Sequence, residues 1–198
     1  MKTELLECEL TLTREILGTI PKNKEVYSKY VATKCADAGL SEKEVETVPD
    51  IEEKGWTGFR TDEKGPFLPD YMIRGFLKAA AMALKGQSDI KAYKSKIDNL
   101  VFVFPDRIRL EQGGKTVKAP DGDYERPLRA MTMQGPRVTL AKSDMINSGA
   151  KIKFTIEIVG NKDGITKAWI KELFDYGRLS GLGQFRNGGF GRFTAVIK

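Results

Sequence analysis

The chain has 198 residues, 40% hydrophobic and 30% charged, with a formal net charge of +6 and no histidine. This is a globular composition, long enough for one large domain with a sizeable core. No apolar run approaches 18 residues, so no membrane-spanning helix is expected. The N-terminus carries acids within its apolar alternation and lacks a signal-peptide pattern. Cys8 and Cys35 belong to no CxxC pair, which suits a reducing cytoplasm and gives no zinc signature. Charge is uneven. Residues 37–63 hold nine acids against three bases, so the rest of the chain carries the positive excess. A basic body with an acidic appendage points to an anionic partner, nucleic acid first, although a solvated basic surface gives the same count.

Residues 3–13 alternate, with Leu6, Cys8, Leu10 and Leu12 against Glu7, Glu9, Thr11 and Thr13, and read as a half-buried strand. Residues 22–38 fit a helix. Residues 41–53 fit a short acidic helix capped by Ser41 and Glu44. The stretch 18–66 reads as an insertion or long connection on the core, its acidic run a solvated face or a contact for a basic partner. From Pro69 to Leu84 the spacing of Ile73, Phe76, Leu77, Ala80, Ala81 and Leu84 predicts an amphipathic helix with Asp70 as N-cap and Gly86 at its end. Gly75 inside it costs about 1 kcal/mol relative to alanine, and is expected where a neighbouring backbone approaches closely.

Residues 88–98 form a polar helix or turn, and Leu100 to Phe104 a buried strand ended by Pro105. Residues 111–149 are loop-rich. Two short strands, Leu128 to Met133 and Arg137 to Leu140, flank a Gly-Pro turn. From Arg126 to Lys142 there are three arginines, one lysine and no acid, which reads as a protruding basic hairpin or as an edge hairpin made soluble by charge. Lys151 to Val159 alternates as a strand, Ile165 to Tyr176 is a helix, and Phe193 to Ile197 is a last strand.

Between that last helix and strand lies Gly177-Arg-Leu-Ser-Gly-Leu-Gly-Gln-Phe-Arg-Asn-Gly-Gly-Phe-Gly191, with six glycines and no acid. Its place after a helix and before a strand excludes the dinucleotide fingerprint, which runs strand, loop, helix. It also lacks a P-loop ending. Composition leaves two readings open: a helix C-cap with a close-packed turn, or a cradle of amides and arginines for phosphate.

Without its insertions the order is strand, helix, strand, strand, helix, strand. That predicts an α+β chain with a ferredoxin-like (RRM-like) β-α-β-β-α-β core, an antiparallel sheet, and insertions after the first and second strands. We expect a single domain over 1–198, with 111–149 as a thumb-like insertion.

The segment Phe67-Leu-Pro-Asp-Tyr-Met-Ile-Arg-Gly-Phe-Leu-Lys78 resembles the motif opening the first helix in the RAMP superfamily of CRISPR proteins. Pro69, Ile73, Arg74, Gly75, Leu77 and Lys78 match, while Asp70, Tyr71 and Met72 stand in place of its Gly-Ser-Ser. Gly181 to Arg192 resembles the RAMP glycine-rich loop, in the same place in the order of elements. The resemblance is closest to the backbone subunit of effector complexes. It implies binding of guide-like single-stranded RNA through the sheet-side groove, the loop near the first helix and a protruding thumb hairpin, here 126–142, with other complex subunits or copies of the chain as partners. The residues assigned to RNA on this basis are Arg74, Lys78, Arg126, Arg129, Arg137, Arg178, Gly181, Gly183, Phe185, Arg186, Gly188, Gly189, Phe190 and Arg192. Phe185, Phe190 and Met133 are the candidates for base contact.

No catalytic constellation accompanies them. Histidine is absent, Ser143 and Ser180 lack a base, and Asp37 matches no motif, so a non-enzyme without metal or cofactor is expected. Two other classes stay open: a phage-borne mimic or inhibitor acting through 37–63, and a structural phage protein.

Overall fold

The computed structural model describes residues 2–23, 55–87, 90–132, 135–160 and 165–198. The helices expected over 22–38 and 41–53 lie outside the described residues, except for Lys22 and Asn23, which form a bend.

The alternation of the first segment becomes β1 (Thr3–Leu12), which buries Leu6, Cys8, Leu10 and Leu12. The matching alternation late in the chain becomes β12 (Lys151–Val159), antiparallel to β1 from Thr3↔Val159 to Thr11↔Lys151. On the other side of β1 lies β13 (Phe193–Ile197), and on the other side of β12 lies β7 (Val101–Phe104). The spatial order is β13-β1-β12-β7, antiparallel throughout.

Two helices cover one face of this sheet. Helix α1 (Asp70–Ala83) buries Ile73, Phe76, Leu77, Ala80 and Ala81. A short helix α2 (Tyr93–Leu100) follows it, with Ile97 buried. Helix α3 (Lys167–Asp175) is capped by Thr166, whose hydroxyl accepts from the Trp169 amide, and buries Trp169, Ile170, Leu173 and Phe174. Phe76, Phe174 and Phe193 meet between the helices and the sheet, with ring centroids 5.2–6.3 Å apart.

The sheet extends past β7. Strand β8 (Arg107–Gln112) pairs with the start of β12, and carries β6 (Gly65–Pro69), β5 (Arg60–Asp62) and β9 (Lys115–Thr116). A second sheet is built on β10 (Gly122–Thr132) and β11 (Gly135–Ile146). β4 (Trp56–Gly58) pairs parallel with β11, and β2 (Ile16–Leu17) and β3 (Ile20–Pro21) complete it.

Four expectations need correction. Pro69, not Asp70, is the N-cap of α1; Asp70 is its first residue and binds Arg74 instead. Gly75 meets no neighbouring backbone and faces open space. The strand Val101–Phe104 is half-buried: Val101 and Val103 face the helices while Phe102 and Phe104 are exposed, because β7 covers one face only. The hairpin strands are not short, since β10 and β11 run in continuous register from Gly122↔Met145 to Thr132↔Gly135.

Candidate nucleic-acid interface

The glycine-rich segment leaves α3 through a one-turn helix α4 (Gly177–Ser180), runs through a 3-10 turn at Arg186–Gly188 and enters β13. Two of its glycines are fixed by close approach. Gly181 has φ +73°, and a Cβ there would stand 2.5 Å from the Phe190 carbonyl oxygen. Gly191 has φ +71°, and a Cβ would overlap the Leu182 carbonyl. Only glycine combines that backbone with that contact. The loop's amides are largely spent on the fold. Those of Gly181, Leu182, Gln184, Gly188, Gly189 and Gly191 all donate to backbone carbonyls, Gly191 to Glu15 at 2.7 Å and Leu182 to Gly191 at 2.8 Å. These six amides are therefore engaged within the fold rather than turned to a ligand.

Those side chains converge. Arg186 and Arg192 line an open concavity of about 360 Å³ together with Asn187, Ser180, Tyr176 and the Ala79 edge of α1, and no acid lines it. Arg178 is exposed on α4. Arg192 donates from Nε to the Leu179 carbonyl at 3.1 Å, which orients its guanidinium while leaving its charge unpaired by any described carboxylate. Gly189 lies between the guanidinium groups of Arg192 and Arg14. Arg14, from the turn between β1 and β2, was not picked out by sequence. It stacks over the Phe190 ring at 4.8 Å and has Glu15 at 3.6 Å.

Arg74 and Lys78 stand apart from this group. Arg74 is 2.6 Å from Asp70 and Lys78 is 2.7 Å from Asp98, so α1 carries its own counter-charges. Arg129 and Arg137 sit at adjacent register positions on β10 and β11, opposite Val138 and Ala130. Their side chains, like Met133 and Asp37, lie outside the described residues.

Beneath the loop is an aromatic and polar floor supplied by the second sheet. Tyr124 packs on Phe190 at 4.7 Å and Phe190 on Phe185 at 5.8 Å. Arg126, 4% exposed, lies under Phe185 with its guanidinium carbon 4.8 Å from the ring centre. Its NH1 donates to Ser143 Oγ at 3.1 Å. Ser143 Oγ and Thr57 Oγ1 are hydrogen-bonded at 2.7 Å, and both stand within donating reach of Gln184 Oε1, at 3.1 and 2.7 Å. Burial pulls the Arg126 pKa below its ordinary value, against the opposing effect of Tyr124. Gly183 lies against the Leu17 carbonyl and Gly188 against the Phe185 ring. Tyr124, Thr57 and Gln184 were invisible as site residues in the sequence, and Ser143 was weighed there only as a nucleophile, because the strand pairing Ser143↔Thr57 brings together residues far apart in the chain.

The opposite, open face of the main sheet is chemically different. Lys151 binds Glu9 at 2.7 Å and Lys153 binds Glu111 at 2.6 Å, with Glu7 beside them on β1. Among the described residues no group of three His, Cys, Asp or Glu side chains is placed to hold a metal ion. Nor is any helix among them long and apolar enough to cross a membrane.

The β-α-β-β-α-β order, the strand order β13-β1-β12-β7 and two helices on one face define an α+β, ferredoxin-like fold. A chain in the cryo-EM structure of the Type III-B Cmr-beta bound to cognate target RNA matches with a TM-score of 0.52 and 12% identity, over 100% of this chain and 60% of that one. A chain of a Type IV-B CRISPR complex matches with a TM-score of 0.49 and 10% identity, over 98% of this chain and 90% of that one. The protein thus spans less than two thirds of the Cmr-beta chain it matches, and at this identity the likeness is one of fold. No family model matches the chain, and no curated protein matches it in sequence.

Proposed function

We propose that this chain binds single-stranded RNA without cutting it, as a subunit of a CRISPR-type effector assembly in which guide-like RNA, other subunits and further copies of the chain are its partners. The observation that carries this reading is the acid-free concavity that gathers Arg186, Arg192, Asn187, Ser180 and Tyr176 at the glycine-rich loop. Arginine forks bind phosphate oxygens, and the neighbouring Phe185, 37% exposed, offers a ring face to a base. Support comes also from the fold, shared with a chain whose structure was obtained with target RNA. A binding role rather than turnover fits the absence of histidine and the engagement of Ser143 with Thr57, Gln184 and Arg126, none of which is a general base. Cys8 is a free thiol, in keeping with a reducing cytoplasm.

The test is fluorescence anisotropy with a labelled oligouridylate. Changing Arg186 and Arg192 together to alanine should weaken binding at least tenfold while the melting temperature stays within 2 °C or so, since surface substitutions away from packing cost little. Wild-type affinity in the double variant would overturn the assignment. A wild-type protein that binds no oligouridylate but captures a protein partner through 37–63 would favour the contact-protein reading.

A further inference from the structure

Two buried cations of the second sheet are treated differently by the fold. Lys22 has Asp144 at 2.9 Å. Among the described residues Arg126 has no carboxylate partner, its buried Nε finds no acceptor, and its one hydrogen bond goes to the Ser143 hydroxyl. Arginine does not escape such burial by losing its proton, so the charge remains and is poorly compensated. The group that covers it is itself under strain. Phe185 has φ 55° and ψ 39°, the left-handed region that a bulky side chain rarely adopts. It is held there with its ring over Arg126, against Gly188 on one side and Phe190 on another. A strained, part-exposed aromatic residue thus closes over an unpaired guanidinium at the edge of the acid-free arginine group.

We propose that Phe185 is a displaceable cover on an anion site whose floor is Arg126 and Ser143, and that a phosphodiester of a bound nucleic-acid strand takes that site as Phe185 turns outward to stack on the adjoining base. This deepens the RNA-binding reading and rests on it. A guanidinium edge pairs equally with carboxylate and phosphate, but the surroundings separate them. A nucleotide brings an anion and a π face in one unit, matching Arg126 and Phe185 together, and its neighbouring phosphates meet Arg14, Arg186 and Arg192. An acidic peptide supplies only the anion. On binding, the Ser143 hydroxyl swings its proton from Gln184 to the phosphate oxygen, while Thr57 keeps Gln184 in place.

Three proteins and two probes test this: wild type, Arg126→Met and Phe185→Gly, with labelled 15-nucleotide oligouridylate and inorganic pyrophosphate. Arg126→Met removes the unpaired charge at similar volume. It should melt at or above the wild-type temperature and bind oligouridylate at least tenfold more weakly. Phe185→Gly removes both the cover and the strain. It should bind pyrophosphate at least threefold more tightly than wild type, and oligouridylate more weakly because the stacking ring is gone. Oligouridylate affinity within threefold of wild type in Arg126→Met would overturn the proposal. So would unchanged pyrophosphate affinity in Phe185→Gly, a readout that holds even if the Arg126 variant folds poorly. If wild type binds no oligouridylate yet Phe185→Gly tightens pyrophosphate, the RNA reading falls and the anion site stands.

Discussion

Asp62 sits between two guanidinium groups, Arg109 at 2.5 Å and Arg107 at 2.9 Å, and also accepts the Lys64 amide at 2.9 Å. The Arg109 hydrogen bond first, then those of Arg107 and Lys64, hold its carboxyl well below the usual carboxylate range. A carboxyl whose folded pKa is depressed stabilises the fold fully above its unfolded value of about 3.9, and loses that contribution as pH falls toward the folded value. Asp62→Asn should therefore cost about 2 kcal/mol, the worth of hydrogen bonds to a charged group. The gap from wild type should be constant between pH 7 and pH 5 and close below about pH 4 in thermal melts. A gap of equal size at pH 3 would mean the bonds contribute no ionic stabilisation. Cys8 is governed by burial instead. Packed on the helix side of β1, its thiol is pushed up to about 12, with only Lys167 acting in the other direction. Since the thiolate is the reactive form, iodoacetamide at pH 8 should leave Cys8 unmodified in the folded protein and label it in urea. Mass spectrometry after digestion reads both states.

At the scale of elements, the second sheet is tied together by one charge. Asp144 on β11 accepts Lys22 Nζ at 2.9 Å and Trp56 Nε1 at 2.8 Å, and Lys22 stacks on the Trp56 ring at 4.2 Å. Lys22 and Asp144 are both nearly buried. Asp144→Ala would strand Lys22 in a dry site, and should cost about 3–5 kcal/mol by urea denaturation, several times the price of a surface pair. A loss under 1 kcal/mol or so would show that Lys22 simply swings to water. None of this was legible in the sequence, where Asp144 and Lys22 lie in stretches read as loop or insertion. What sequence did carry was periodicity. The two-residue alternation of Thr3–Leu12 and Lys151–Val159, and the helical spacing of Ile73 to Ala81, each encode a one-sided burial that the structure realises, and their order implied the sheet. Periodicity failed where burial depended on an unseen partner. Val101–Phe104 is apolar throughout yet covered on one face, and Arg126, one base in an acid-free run, is buried because its register opposite Ala141 turns it toward the glycine-rich loop. The glycines themselves were ambiguous until Gly181 and Gly191 could be seen against neighbouring carbonyls.

Over the whole molecule, charge divides by face. The open face of the main sheet pairs its lysines with its own glutamates. Lys151 holds the Glu9 carboxyl below its ordinary pKa through their hydrogen bond, and Glu111 raises Lys153 in the same way. A strand of phosphates would have to break those pairs and would meet Glu7 as well, so the exposed Phe102 and Phe104 at that face's margin make a poor stacking platform for RNA. The loop face makes the opposite offer, with Arg178, Arg186 and Arg192 unpaired by described carboxylates and Arg14 beside only Glu15. Counterion release then sets the salt dependence. With about 0.7 ions released per phosphate neutralised on a single strand, four arginines give a slope of log K against log salt near −2.8, or roughly a fiftyfold loss of affinity between 50 and 200 mM. Phe102→Ala with Phe104→Ala should leave both affinity and slope unchanged. Arg186→Ala with Arg192→Ala should halve the slope to about −1.4, because two of the four phosphate contacts are gone. A double-arginine variant that binds more weakly but keeps the wild-type slope would mean that these side chains shape the loop while the strand's phosphates lie elsewhere. Loss of affinity with the phenylalanines would move the strand to the open sheet.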